Sequence, residues 1–153
     1  MKIALGCDHG GLNLKSAVIR YLEKNNILYE DFGCYDENSV DYPVFAYKTA
    51  SQVVNGNCDL GILCCGTGIG ISIAANKVKG IRAAVVSDAF SAEMTRRHNN
   101  ANILCMGGRV IGEEKAVKLA DIFIHTPFDV EERHLRRLKM VDEIEQGTFS
   151  CEQ

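Results

Sequence analysis

Short apolar runs alternate along the chain with longer stripes at helical spacing. Residues 2–6 are predicted as a buried strand, and Leu14, Ala17, Val18, Tyr21 and Leu22 then recur with helical period. Residues 27–32 predict a second strand. Tyr47, Ala50, Val53 and Val54 predict a second helix, closed by Asn55-Gly56-Asn57. Strands over 60–64, 83–86 and 103–106 follow, with helices over 68–77, 89–98 and 113–124. Pro127 breaks the pattern, and residues 131–146 predict a last, highly charged helix.

Strand and helix in regular alternation predict an α/β fold. The expected architecture is a single-domain, doubly wound (Rossmann-like) parallel sheet of about five strands, with helices on both faces and a basic C-terminal helix. Crossovers in such sheets are right-handed, and ligands bind beyond the carboxyl ends of the strands. The chain has 153 residues, enough to bury roughly 70% of its unfolded surface in one core. The expected division is a domain over 1–146 and a tail over 147–153, without room for a second domain.

Composition narrows the function. Apolar residues at 46% and charged residues at 24% exclude disorder as the main state. A net charge of −3 argues against nucleic acid as the principal partner. The stretch MKIALG is too short for a signal peptide, and no segment approaches the apolar length of a membrane span. The seven cysteines are irregularly spaced and form no C-x-x-C, so reduced thiols in the cytoplasm are expected. Four histidines without paired spacing predict no metal site.

Three polar constellations stand near predicted element ends. Gly6-Cys7-Asp8-His9-Gly10-Gly11 follows the first strand, and Cys64-Cys65-Gly66-Thr67-Gly68-Ile69-Gly70 follows the third. A doubly wound sheet puts these two at one edge. Arg97-His98-Asn99-Asn100 ends the fourth helix, so its place at that edge is weaker, because it closes a helix and not a strand.

The alternating Gly66, Gly68 and Gly70 open a helix, where free backbone N–H groups suit a phosphate or a developing oxyanion. The alternative is a tight strand-to-helix turn. A dinucleotide G-x-G-x-x-G would need glycine at Ile71, and a Walker loop would need Gly-Lys-Ser/Thr. Cys65 precedes this nest and is the candidate base or nucleophile, against the alternative of a small buried hydrophobe. Cys64 should point to the opposite face. Asp8 and His9 can hold hydroxyls and move protons, or Asp8 can simply cap a turn. His98 can act as an acid or cap its helix, and His125 reads as a surface residue. Arg133 and Arg137, four apart, share one helix face that fits a phosphate dianion, or else a solvated surface.

Together, Gly6-Cys7-Asp8-His9-Gly10-Gly11, Asp41-Tyr42-Pro43, Cys65 to Gly70, Asn76-Lys77, Gly80-Ile81-Arg82-Ala83 and Arg97-His98-Asn99 resemble the ribose-5-phosphate isomerase B and galactose-6-phosphate isomerase family. The resemblance runs from Lys2 to about Gln146. It implies an aldose–ketose isomerase that interconverts ribose 5-phosphate and ribulose 5-phosphate without cofactor or metal. It also implies Cys65 as the base between C1 and C2, and the Gly66 to Gly70 amides, Ile69 included, as an anion hole. Thr67 and His98 would open the sugar ring, and Asp8 would handle hydroxyls. His9, Arg109, Arg133 and Arg137 would gather around the phosphate, with Tyr42 and Asn99 lining the site.

Family members form homodimers, some of them tetramers, with active sites shared between subunits. Another branch uses a glutamate base a few residues into the loop. Ile71 and Ser72 carry no carboxylate, so this chain resembles the cysteine branch. Six-carbon sugar phosphates stay open as substrates. Rival readings are a non-catalytic sugar-phosphate-binding module and a cysteine-nucleophile hydrolase. Ile71 stands where a phosphatase loop would carry arginine, which weighs against the second.

Overall fold

Among the described residues five apolar runs pair as strands, all of them parallel: β1 (Lys2–Cys7), β2 (Leu28–Asp31), β3 (Leu60–Cys65), β4 (Ala83–Val85) and β5 (Ile103–Gly107). Their order across the sheet is β2-β1-β3-β5-β4. This is a computed structural model, and it describes residues 1–151. The helices are α1 (Leu12–Lys24), α2 (Tyr42–Val54), α3 (Ile69–Ala75), α4 (Ala89–Arg97), α5 (Glu113–His125) and α6 (Glu132–Gln146). Among the described residues no helix is long and apolar enough to cross a membrane.

Strand parity divides the core into two layers. Ile3, Leu5, Cys7, Ile62, Cys64, Leu104 and Met106 face the layer that also holds α1 and α5 side chains. Leu63, Cys65, Ile103 and Cys105 face the other layer, closed by α2 and α3. Cys64 and Cys65 thus lie on opposite faces, as alternation requires. The chain moves outward from β1 to β2 on one side and to β3 on the other. The crevice between the carboxyl ends of β1 and β3 is therefore the switch point where such sheets bind ligands.

Several boundaries differ from the pattern in the sequence. Helix α2 starts at Tyr42, five residues ahead of its first periodic apolar residue. Asp41 enters it in an extended conformation and Pro43 sits in the first turn, where its missing N–H is harmless. Helix α3 covers only Ile69–Ala75, short of the expected 68–77. The Asn76 side chain pairs with both backbone groups of Ala83 (2.8 and 2.9 Å), ending the helix and starting β4.

Helix α6 packs on the body through one face. His134 is its buried residue, Arg82 pairs with Asp142, and Glu145 accepts from the Gly80 amide at 3.0 Å. Leu135, Val141 and Ile144 stay 47–60% exposed. Gly147, at φ 70°, ends the helix. Residues 152–153 of the expected tail lie outside the described residues.

Candidate active site

Backbone bonds lock three strand-end loops together. The Asp8 N–H donates to the Cys64 carbonyl (3.1 Å), the Gly108 N–H to the Cys65 carbonyl (2.8 Å) and the Arg109 N–H to the Gly66 carbonyl (3.0 Å). Glycines permit this closeness: a Cβ on Gly11 would overlap the Cys64 backbone, and one on Gly108 would overlap the Gly10 carbonyl. The first two constellations and Arg109 therefore share one edge of the sheet.

Cys65 is the last residue of β3, and it is buried. Its Sγ accepts the Gly68 N–H at 3.1 Å. Gly68 holds φ 80°, a left-handed conformation that aims this amide back at the sulfur. Burial acts on four of the remaining thiols, Cys7, Cys58, Cys64 and Cys105. It pushes Cys7 up to about 12, raises Cys58, and lifts Cys64 and Cys105 well above the usual thiol range. A thiol so raised is neutral at ordinary pH and inert as a base.

Around Cys65, the Asp8 carboxylate accepts the Gly10 N–H at 2.8 Å and is largely buried. Asp8 thus caps a short 3-10 turn over His9–Gly11, one of the two roles expected of it, while remaining at the site edge. A Cβ on Gly66 would stand 3.4 Å from the Arg109 guanidinium, and one on Gly70 would press on the Tyr42 ring. The Thr67 hydroxyl accepts the Ile69 N–H at 3.3 Å, and both side chains are exposed. His9 and Arg109 line one cleft together with Asn13, Ser16 and Glu37.

The third constellation is elsewhere. Helix α4 runs back from the carboxyl edge, so its last turn comes out at the amino ends of β4 and β5. His98 caps that turn, and Asn102 just beyond it bonds at the start of β3, its carbonyl taking the Gly61 N–H at 2.8 Å. His98 and Asn99 are thus separated from Cys65 by the length of β3, roughly 16 Å at the usual rise per residue. Arg133 and Arg137 sit on α6 at this same amino edge. Arg133 pairs with Glu131, and both arginines are exposed. A single chain therefore brings together Asp8, His9, Tyr42, Cys65, Thr67, Gly66 to Gly70 and Arg109, and leaves His98, Asn99, Arg133 and Arg137 apart.

The charge-dense sequence of α6 hides one inward-facing residue. His134 is buried, with its ring 4.7 Å from that of His98 and its Nδ1 3.2 Å from the Asp129 carbonyl. The Asp129 carboxylate binds Arg97 at 2.8 Å, which holds it below the usual carboxylate range. The signal was available in the spacing of His134, Leu138 and Val141, one face of the helix.

The family model described as Ribose/Galactose Isomerase matches residues 3–141. A ribose-5-phosphate isomerase B of Escherichia coli is 43% identical over 145 residues, covering 95% of this chain and 97% of its own. The ribose-5-phosphate isomerase B structure from Clostridium thermocellum superposes with a TM-score of 0.94 at 48% identity, covering 96% of this chain and 99% of its own. The Mycoplasma genitalium enzyme, solved with bound ribulose-5-phosphate, gives 0.89 at 39% identity, with 95% and 96% covered. With a family model spanning nearly the whole sequence and a fold shared from β1 into α6, this chain belongs to the ribose/galactose isomerase family.

Proposed function

We propose that the protein interconverts ribose 5-phosphate and ribulose 5-phosphate, with Cys65 as the base. The observation that carries the reading is the Cys65 sulfur at the end of β3 with the Gly68 amide donating to it at 3.1 Å. In the forward direction the thiolate takes the proton from C2 of the open-chain aldose. The electron pair forms the C1–C2 double bond, and the carbonyl electrons move onto O1. The thiol then returns the proton to C1, while O2 gives up its hydrogen and becomes the ketone. Asp8 passes the hydroxyl proton between O2 and O1.

Negative charge grows on oxygen beside the Gly66 to Gly70 amides. Donors of this kind are worth about 3–4 kcal/mol of barrier each in other enzymes. His9 and Arg109 hold the phosphate in their common cleft, with Tyr42 over Gly70 bounding the sugar. His98 and Thr67 assist ring opening. No cofactor enters the proton balance.

The second half of the proposal is a homodimer with shared sites. An acid and a base acting on one small sugar must each reach within about 3 Å of it. The edge bearing His98, Asn99, Arg133 and Arg137 can meet Cys65 only from another copy. A two-fold axis makes that exchange reciprocal and yields two equal sites. Exposed apolar residues flank both halves: Val44, Tyr47, Ile69 and Ile73 beside the glycine loop, and Leu135, Val141 and Ile144 on α6. The cysteines, none of them in a disulfide, fit the cytoplasm. Steady-state kcat/KM with ribose 5-phosphate, allose 6-phosphate and galactose 6-phosphate tests the substrate. Ribose 5-phosphate is expected to lead, and preference for a six-carbon sugar, or turnover of none, overturns the assignment.

A further inference from the structure

We propose that the buried Lys15 and its half-buried partner Asp31, which hold the loop over 33–41, are positioning residues that fix which nitrogen of His9 faces the substrate. The inference rests on the phosphate role of His9 proposed above and deepens it. Lys15 lies on α1 with its side chain almost wholly inside the protein. Its ammonium donates to both Asp31 oxygens at 2.8 Å and to the Cys34 carbonyl at 2.7 Å, and stands 4.7 Å from the centre of the Tyr35 ring. Three N–H donors thus find three oxygen acceptors, as burial of an ammonium requires.

The same carboxylate takes the Gly33 N–H at 2.9 Å, while the Asp31 carbonyl takes the Tyr35 hydroxyl at 2.9 Å. The segment from Gly33 to Asp41 contains no helix or strand, so its path follows from these bonds, from the Cys34 N–H to the Cys7 carbonyl (3.1 Å), and from Asp36, whose carbonyl takes the Cys34 thiol (2.8 Å) and whose carboxylate takes the Asn38 N–H (2.9 Å). At its far end the Val40 N–H donates to Nδ1 of His9 at 3.2 Å.

That last bond has a chemical consequence. A ring nitrogen that accepts a hydrogen bond carries no hydrogen, so the neutral imidazole keeps its hydrogen on Nε2. With Nδ1 turned to Val40, Nε2 is the nitrogen left for the cleft shared with Arg109. A phosphate accepts hydrogen bonds only, so this tautomer binds it and the other would present a lone pair. Lys15 and Asp31 act on the substrate through Val40 and His9 and touch it nowhere. The arrangement resembles the outer partners that orient metal-bound histidines, with a backbone amide in place of a carboxylate.

Imidazole 15N chemical shifts test this directly. In 15N-histidine-labelled protein at alkaline pH, with His9 assigned by its absence in His9→Gln, the hydrogen is expected on Nε2 and Nδ1 is expected bare. Hydrogen on Nδ1 in the wild-type protein overturns the proposal whatever the variants do. In Lys15→Met the His9 signals should move toward a mixture of tautomers. KM for ribose 5-phosphate should rise about tenfold, the order of one hydrogen bond to a charged group, with kcat kept within about twofold. In a His9→Ala background the same change should add almost nothing to KM, because the path runs through His9. Equal KM effects in both backgrounds, or unchanged tautomer and KM, refute the role. If Lys15→Met does not fold, Asp31→Asn carries the same measurements at nearly unchanged volume. Should the wild-type protein isomerise no sugar phosphate, the assignment of activity fails while the nitrogen shifts still decide the tautomer.

Discussion

A subunit carrying Cys65→Ala and a second carrying His98→Asn with Arg137→Ala should each be almost inactive, yet restore activity when their subunits exchange. The reason is the separation along β3, six residues from Leu60 to Cys65. At about 3.3 Å per residue this leaves roughly 16 Å between the thiol and the edge that carries His98, several times the reach of a proton transfer. If each site takes Cys65 from one chain and His98 with Arg137 from the other, a mixed dimer has one intact site and one site lacking all three groups. Random reassortment of equal amounts makes half the dimers mixed, so about one quarter of wild-type activity should return. The assay is isomerisation of ribose 5-phosphate after co-refolding, with each parent refolded alone as the baseline. Parents should fall about 100-fold or more, in line with the loss of a positioned acid or base. A mixture no more active than its parents would refute the shared site, because two defects within one chain's site cannot complement.

Two further changes probe separate links. Arg137→Ala should raise KM for phosphorylated sugars about 10- to 100-fold with a smaller effect on kcat, since a hydrogen bond to a charged group contributes about 1.5–3 kcal/mol; steady-state kinetics on each sugar phosphate checks this, and an unchanged KM returns the arginine face to solvent. Thr49 is fully buried and its hydroxyl has no partner, so the nearly isosteric Thr49→Val should stabilise the fold by about 1 kcal/mol. A rise in Tm of about 2–4 °C is expected, and a fall would mean that the hydroxyl finds a bond the structure lacks.

Most of the fold was legible because each strand is a short apolar run and each core helix a periodic stripe. Ile62, Leu63, Leu104 and Phe123 announce their burial by type alone. What escaped had weaker local signals. The first turn of α2 is exposed at Tyr42, Pro43 and Val44, so no periodicity marks it. The C-terminal end of α3 depends on Asn76 reaching the backbone of Ala83, a contact seven residues away.

The candidate site was legible at the carboxyl edge for the same reason. A glycine loop after a strand has one place to go in a doubly wound sheet, and Cys65, Asp8 and His9 fall there together. His98 was misplaced because it closes the crossover helix between the parallel strands β4 and β5, and such a helix must run back to the amino edge, away from Cys65. His134 was hidden among Arg133, Arg136 and Arg137, where charge masks the inward face. The Lys15 clamp was least visible, because nothing in sequence distinguishes a lysine inside α1 from one in water.

The proposed chemistry turns on Cys65 as the group that moves the proton. Turnover of ribose 5-phosphate by purified Cys65→Ala, measured beside substrate binding by calorimetry, tests it most directly. Isomerisation should disappear while ribose 5-phosphate still binds at close to wild-type affinity. Substantial turnover by the folded variant would contradict it.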